Sequence, residues 1–119
     1  MARILVIDDE EVYLRLVATM LTARDHHVDT VTDSREALAR FEALKDELDV
    51  VILDLQMPHV SGSRLLHEIR KHGSRLPIIL STGCDAIDVN IPDEPGLSFL
   101  RKPFSLATLH AAVDAALAG

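Results

Sequence analysis

The stretch that decides the fold is Val50-Val51-Ile52-Leu53-Asp54. Four apolar residues in succession, three of them β-branched, fit a strand covered on both faces, as in a parallel sheet flanked by helices. The run closes on a carboxylate, which contributes nothing to strand packing. The same pattern occurs once before, in Ile4-Leu5-Val6-Ile7 followed by Asp8-Asp9. If these two strands are parallel neighbours, their three carboxylates meet at one edge of the sheet. Open α/β sheets bind their ligands at that edge.

Strand and helix signals alternate outward from this pair. Residues 12–24 place Leu14, Val17, Ala18 and Leu21 on one helical face. Residues 28–31 form a weaker strand. Asp33 or Ser34 caps a second helix with Ala37, Leu38, Phe41 and Leu44 inward. Pro58 and Gly62 mark a loop before a helix with Leu65, Leu66 and Ile69 inward, stopped by Gly73. Pro77 opens the strand Ile78-Ile79-Leu80, and residues 97–100 form the last strand. Ser105 caps a final helix with Leu106, Leu109, Val113 and Leu117 inward. The alternation predicts one doubly wound α/β domain over 1–119. One interval breaks it. Between Ser81 and Leu97, two prolines, two glycines and several β-branched residues predict a loop with at most a turn or two of helix, near 84–90.

The chemistry-bearing residues are few. Like charges clustered at strand ends cost folding energy unless a cation compensates them. Lys102, just after the last strand, is the candidate basic partner. Oxygen-only clusters of this kind suit Mg²⁺ or another hard cation. Asp8, Asp9, Asp54 and Lys102 therefore read as a small metal-assisted phosphoryl site.

Composition narrows the classes. The chain has 119 residues, 48% of them hydrophobic, and a formal charge of −7. That size suits one self-sufficient core, and the negative charge argues against this domain gripping nucleic acid directly. No apolar stretch is long enough for a membrane span. The opening Met1-Ala2-Arg3-Ile4 enters a strand at once, so no leader is expected. A single cysteine, Cys84, excludes a disulfide framework and fits a cytoplasmic location. The six histidines show no metal-ligand spacing: His26-His27 precede a strand, and His67 and His72 fall on a helix surface.

Taken together, Asp8-Asp9, Asp54-Leu55-Gln56-Met57-Pro58 with Gly62, Thr82-Gly83 after a buried strand, and Lys102-Pro103-Phe104 resemble the receiver domain of two-component response regulators, in order and spacing and over essentially the whole chain. The resemblance implies a flavodoxin-like, five-stranded parallel sheet of order 2-1-3-4-5. It makes Asp54 the nucleophile that takes a phosphoryl group from a histidine kinase or a histidine phosphotransfer domain. It implies Mg²⁺ on Asp9, Asp54 and the backbone carbonyl of Gln56, with Asp8 acting through water. Lys102 would pair with the carboxylate and then with a phosphoryl oxygen, which Thr82 also contacts. Phe99 would be the aromatic that swings inward as Thr82 moves. The shortened, proline-containing stretch 83–96 departs from the family's full fourth helix. In that it is closer to receivers of hybrid kinases, or stand-alone relatives, than to those of DNA-binding regulators, and a monomer or weak dimer is expected.

Two other classes compete. A haloacid-dehalogenase-type phosphatase also uses Asp, Thr or Ser, Lys and Mg²⁺, but needs a second acid two residues after the nucleophile. Gln56 stands there and cannot act as a general acid. A phosphorylation-independent module with the same fold usually lacks one of the key residues, and all of them are present here.

Overall fold

A computed structural model describes residues 1–71, 75–83 and 95–118. Its elements are β1 (Arg3–Ile7), α1 (Glu11–Thr22), β2 (His27–Val31), α2 (Ser34–Leu44), β3 (Val50–Asp54), α3 (Gly62–Lys71), β4 (Ile78–Thr82), β5 (Leu97–Arg101) and α4 (Leu106–Ala118). The five strands are all parallel in the order β2-β1-β3-β4-β5. This is the doubly wound, flavodoxin-like sheet that the sequence predicts. The short helix expected near 84–90, Cys84, His72 and the stop at Gly73 lie outside the described residues.

The period-2 alternation of the strands splits the core in two. Leu5, Ile7, Val51, Leu53, Ile78 and Leu80 pack with Phe41 of α2 and Leu65, Leu66 and Ile69 of α3. Ile4, Val6, Val50, Ile52, Ile79 and Leu100 pack with Leu14, Val17 and Leu21 of α1 and Leu109 and Val113 of α4. Continuing the alternation past each strand end carries Asp8, Asp54 and Lys102 to the second face. Asp8 follows Ile4 and Val6, Asp54 follows Val50 and Ile52, and Lys102 follows Leu100. The register Ile7↔Leu53 sets β1 and β3 level, so their acids emerge side by side.

The caps resolve as local hydrogen bonds. Asp33 is the α2 cap, accepting from the Arg35 N–H, and Ser105 accepts from the Thr108 N–H. The last helix departs from expectation. Leu109 and Val113 are buried, but Leu106 and Leu117 are 50% and 41% exposed, and His110 is buried in their place. On the helical wheel Leu106 and Leu117 lie roughly 60° and 80° from Leu109 on the same side, in the sector between buried Val113 and His110, so their exposure is not set by the face they occupy. They occupy the terminal turns. Apolar residues surround this helix, so composition alone does not say which stripe meets the sheet.

Candidate phosphoryl and cation site

Four side chains converge at the C-terminal edge of β1, β3 and β5. The Lys102 ammonium donates to Asp8 Oδ2 at 2.7 Å and lies 3.5 Å from Asp54 Oδ2 and 3.6 Å from Glu10 Oε1. Asp8, Asp54 and Lys102 are almost completely buried, whereas Glu10 is exposed. Asp8 Oδ1 accepts the Glu10 N–H at 2.9 Å, which turns the chain out of β1 into α1. Asp54 Oδ1 accepts the Gln56 N–H at 3.0 Å, an equivalent turn after β3.

The electrostatics follow from burial with too few cations. Burial pushes the Asp54 carboxyl up to about 7; the Gln56 N–H and Lys102 oppose the rise and the charge of Asp8 adds to it. Burial alone would lower the Lys102 ammonium, but its hydrogen bond to Asp8 and the charges of Asp54, Asp8 and Glu10 outweigh it and raise the group. Three carboxylates thus share one ammonium.

Oxygen atoms of Asp8, Glu10 and Asp54 lie within 4.8 Å of one another, the spacing of a cation site. Asp9, expected from the sequence as a ligand, does not fall within that oxygen set; its Oδ1 is buried without a hydrogen-bond partner. An all-oxygen set carrying excess negative charge fits a small hard divalent cation such as Mg²⁺. The structure brings Asp8, Asp54 and Lys102 together as the sequence suggests. Glu10 joins them unforeseen, although it directly continues Asp8-Asp9. Thr82 ends β4 next to β3, half-buried, and its carbonyl accepts the Lys102 N–H at 2.8 Å. Phe99 lies on the edge strand β5, 45% exposed.

The loop after Asp54 is braced from two sides. The buried Ser34 hydroxyl donates to the Pro58 carbonyl at 2.6 Å and accepts the Val60 N–H at 3.1 Å. His59, between them, takes a positive φ of 70°. From the other side, α3 begins so close to β3 that a Cβ on Gly62 would overlap the Asp54 carbonyl oxygen and crowd Leu55 Cα. Only glycine allows that approach. Gly62 is legible in the sequence, but the role of Ser34 is not, because a serine beside Asp33 reads as a cap.

Known proteins agree with this geometry. The chain is 34% identical to the probable transcriptional regulatory protein TcrX of Mycobacterium tuberculosis over 105 residues, covering 87% of this chain and 44% of TcrX. It is also 34% identical to the sensor kinase CckA of Brucella abortus over 114 residues, covering 94% of this chain and 12% of CckA. It therefore spans less than half the length of either relative. Among solved structures, a response regulator receiver domain protein from Clostridium thermocellum superposes with a TM-score of 0.87 at 33% identity, covering 99% of this chain and 95% of that one. The response regulator TrrA of Thermotoga maritima, solved with Mg²⁺ and BeF, superposes with a TM-score of 0.85 at 32% identity, covering 98% and 100%. The receiver-domain family model matches residues 4–114, and this chain belongs to the response regulator receiver domains of two-component signalling.

Proposed function

We propose that Asp54 accepts a phosphoryl group from a phosphohistidine of a histidine kinase or histidine phosphotransfer domain. The observation that carries this reading is the buried Asp54 carboxylate, 3.5 Å from Lys102 and within an oxygen cluster that fits a divalent cation. An Asp54 oxygen attacks phosphorus, the O–P bond forms as the N–P bond breaks, and the imidazole leaves with a proton from water. Asp8, Asp9, Asp54 and the Gln56 carbonyl would hold Mg²⁺, with Glu10 at the exposed rim. The bound cation would supply positive charge to the phosphoryl oxygens. Lys102 supplies the second positive charge, and the Thr82 hydroxyl donates to a further oxygen.

The charge count explains why such a site switches. Asp8, Asp9 and Asp54 bring three negative charges, with Glu10 a fourth at the solvated rim, and Mg²⁺ with Lys102 brings three positive ones. The phosphoryl group converts Asp54 into a mixed anhydride carrying roughly −1.5 to −2. The excess calls for new hydrogen-bond donors, drawing in Thr82 and, behind it, Phe99. The domain is thus a signalling phosphoacceptor that catalyses its own labelling and hydrolysis, and its output passes to a protein partner. Incubation with Mg²⁺ and phosphoramidate should add one phosphoryl mass, and Asp54→Asn should take none. Stoichiometric labelling of Asp54→Asn would refute the assignment.

A further inference from the structure

Lys102 has a neighbour that the charge count leaves out. Its ammonium sits over the ring of Tyr13, 4.5 Å from the centroid. Tyr13 belongs to α1 and is half-buried. The ring is itself held by the segment that follows Lys102. Phe104 meets it edge-on, with centroids 5.3 Å apart and planes at 80°, and the Phe104 N–H donates to the Tyr13 hydroxyl at 3.4 Å. The Lys102 side chain, only 9% exposed, therefore lies between carboxylates on one side and an aromatic face on the other.

We propose that Tyr13 is a positioning residue for Lys102 during phosphoryl transfer, an inference that rests on reading Asp54 as the phosphoacceptor. A lysine ammonium is a point charge on a flexible stem. Asp8 and Glu10 compete with Asp54 for it, and salt bridges to either would draw it away from the reacting oxygen. A π-face attracts the cation without a directional hydrogen bond. It keeps the ammonium inside the site and still lets it slide from the Asp54 carboxylate to an incoming phosphoryl oxygen. A carboxylate or amide in place of Tyr13 would fix the ammonium by a directional bond. Packing against Phe104 keeps the ring in register with the turn that carries Lys102.

Two variants separate the ring from its hydroxyl. Tyr13→Phe keeps the aromatic face and loses the bond to Phe104. Tyr13→Leu keeps apolar bulk and loses the face, and Tyr13→Met replaces it should leucine unfold the domain. The first measurement requires no phosphorylation. Proton NMR should show the Lys102 ε-methylene shifted upfield of those of Lys45 and Lys71 by the ring current. The shift should survive in Tyr13→Phe and vanish in Tyr13→Leu. The second is labelling by saturating phosphoramidate with Mg²⁺. Tyr13→Leu should slow the maximal rate by about tenfold, the loss expected for one cation–π contact in a desolvated site, with Mg²⁺ affinity unchanged. Tyr13→Phe should restore the rate. A Tyr13→Leu rate equal to wild type, or a Tyr13→Phe rate as low as that of Tyr13→Leu, overturns the inference and leaves the phosphoacceptor reading intact. A Lys102 ε-methylene resonance with no upfield shift in wild type overturns it as well. Wild-type protein that takes no phosphoryl group overturns the reading of Asp54 and this inference with it.

Discussion

At the N-terminal edge of the sheet Arg3 reaches Asp29 at 3.0 Å and Glu47 at 3.2 Å, while its backbone N–H is capped by Asp49 at 2.8 Å. At the C-terminal edge Lys102 stands against Asp8, Glu10 and Asp54. The residue types are similar, and the difference is burial and balance. Glu47 is 61% exposed, and water already solvates most of that network. Asp8 and Asp54 are 4% and 2% exposed, and one ammonium cannot neutralise them. Charge at the first edge is ordinary surface structure. Charge at the second is held in a strained state that a bound cation or phosphoryl group would relieve. Folding tolerates that cost at one end of the sheet, where the parallel topology also delivers three strand ends to one spot.

The largest effect should come from removing the excess charge. Asp54 has its carboxyl raised from 3.8 to about 7 in the folded domain. Its contribution to stability is therefore complete below about pH 4 and is lost as pH rises toward 7. By the usual 1.36 kcal/mol per unit the loss is on the order of 4 kcal/mol. Asp54→Asn should be more stable than wild type at pH 8 without Mg²⁺, and the two should converge near pH 4. Adding Mg²⁺ should stabilise wild type more at pH 8 than at pH 5.5, because the cation competes with the proton for the same oxygens. Urea denaturation at the two pH values, with and without Mg²⁺, measures this. A metal-free wild type as stable as Asp54→Asn at pH 8 would put both sheet edges in the same class.

The loop that follows Asp54 comes next. Gly62→Ala drives a Cβ into the backbone of Asp54 and Leu55, with no flexible side chain to give way. It should cost roughly 1–3 kcal/mol, the range for overpacking. Ser34→Ala removes the hydroxyl that bridges the Pro58 carbonyl and the Val60 N–H; those two groups keep their own 2.9 Å bond, so the cost should be about 0.5–1.5 kcal/mol. Both should also lower the phosphorylation rate, because they displace the turn that carries the Gln56 carbonyl. Loss of stability with an unchanged rate would make Ser34 and Gly62 structural only.

Asp9 tests the cation side directly. Its buried Oδ1 has no hydrogen-bond donor. Asp9→Ala should weaken Mg²⁺ binding at least tenfold, about 1.4 kcal/mol, while the free domain folds at least as well as wild type. Calorimetric titration reads the first and thermal melting the second. Equal Mg²⁺ affinity in the two proteins would remove Asp9 from the ligand set.

Much of this contrast is legible in the sequence. The five strands, the sheet order through the resemblance, and the convergence of Asp8, Asp54 and Lys102 follow from apolar runs that end in charge. The missed features share a physical reason. Ser34 and Tyr13 act through contacts with segments far away in the chain, His110 is buried on the last helix, and nothing in their local sequence marks them. Ser34 sits where a cap is expected. Tyr13 falls at a helical position that reads as partly buried packing. His110 lies on a helix of uniform apolarity, where periodicity cannot rank the faces. Leu106 and Leu117 differ: they share the sector of buried Val113 and His110 but fall in the terminal turns, where they stay exposed. Glu10 differs from these, since a third acid adjoining Asp8-Asp9 was visible and needed only the turn after β1 to bring it back toward Lys102.

The smallest effect belongs to the N-terminal edge, and it sharpens the contrast because the same operation is performed there. Arg3→Met removes the cation that Asp29 and Glu47 share and keeps the apolar stem. Unlike Lys102, Arg3 leaves behind carboxylates that water and neighbouring bases can serve. Glu47 is exposed, and Asp29 still has Arg40 at 3.9 Å and His27 at 3.8 Å. The cost should stay below about 1 kcal/mol, and it should shrink as salt screens the pairs. Lys102→Met, which removes the same unit charge at the other edge, strands Asp8 and Asp54 without a cation. Metal-free, at pH 8, it should cost several times more and respond little to salt, because a buried pair is poorly screened. Parallel urea titrations of both variants at low and high NaCl give the comparison. Equal costs, or a salt dependence confined to Lys102→Met, would show that burial does not separate the two edges.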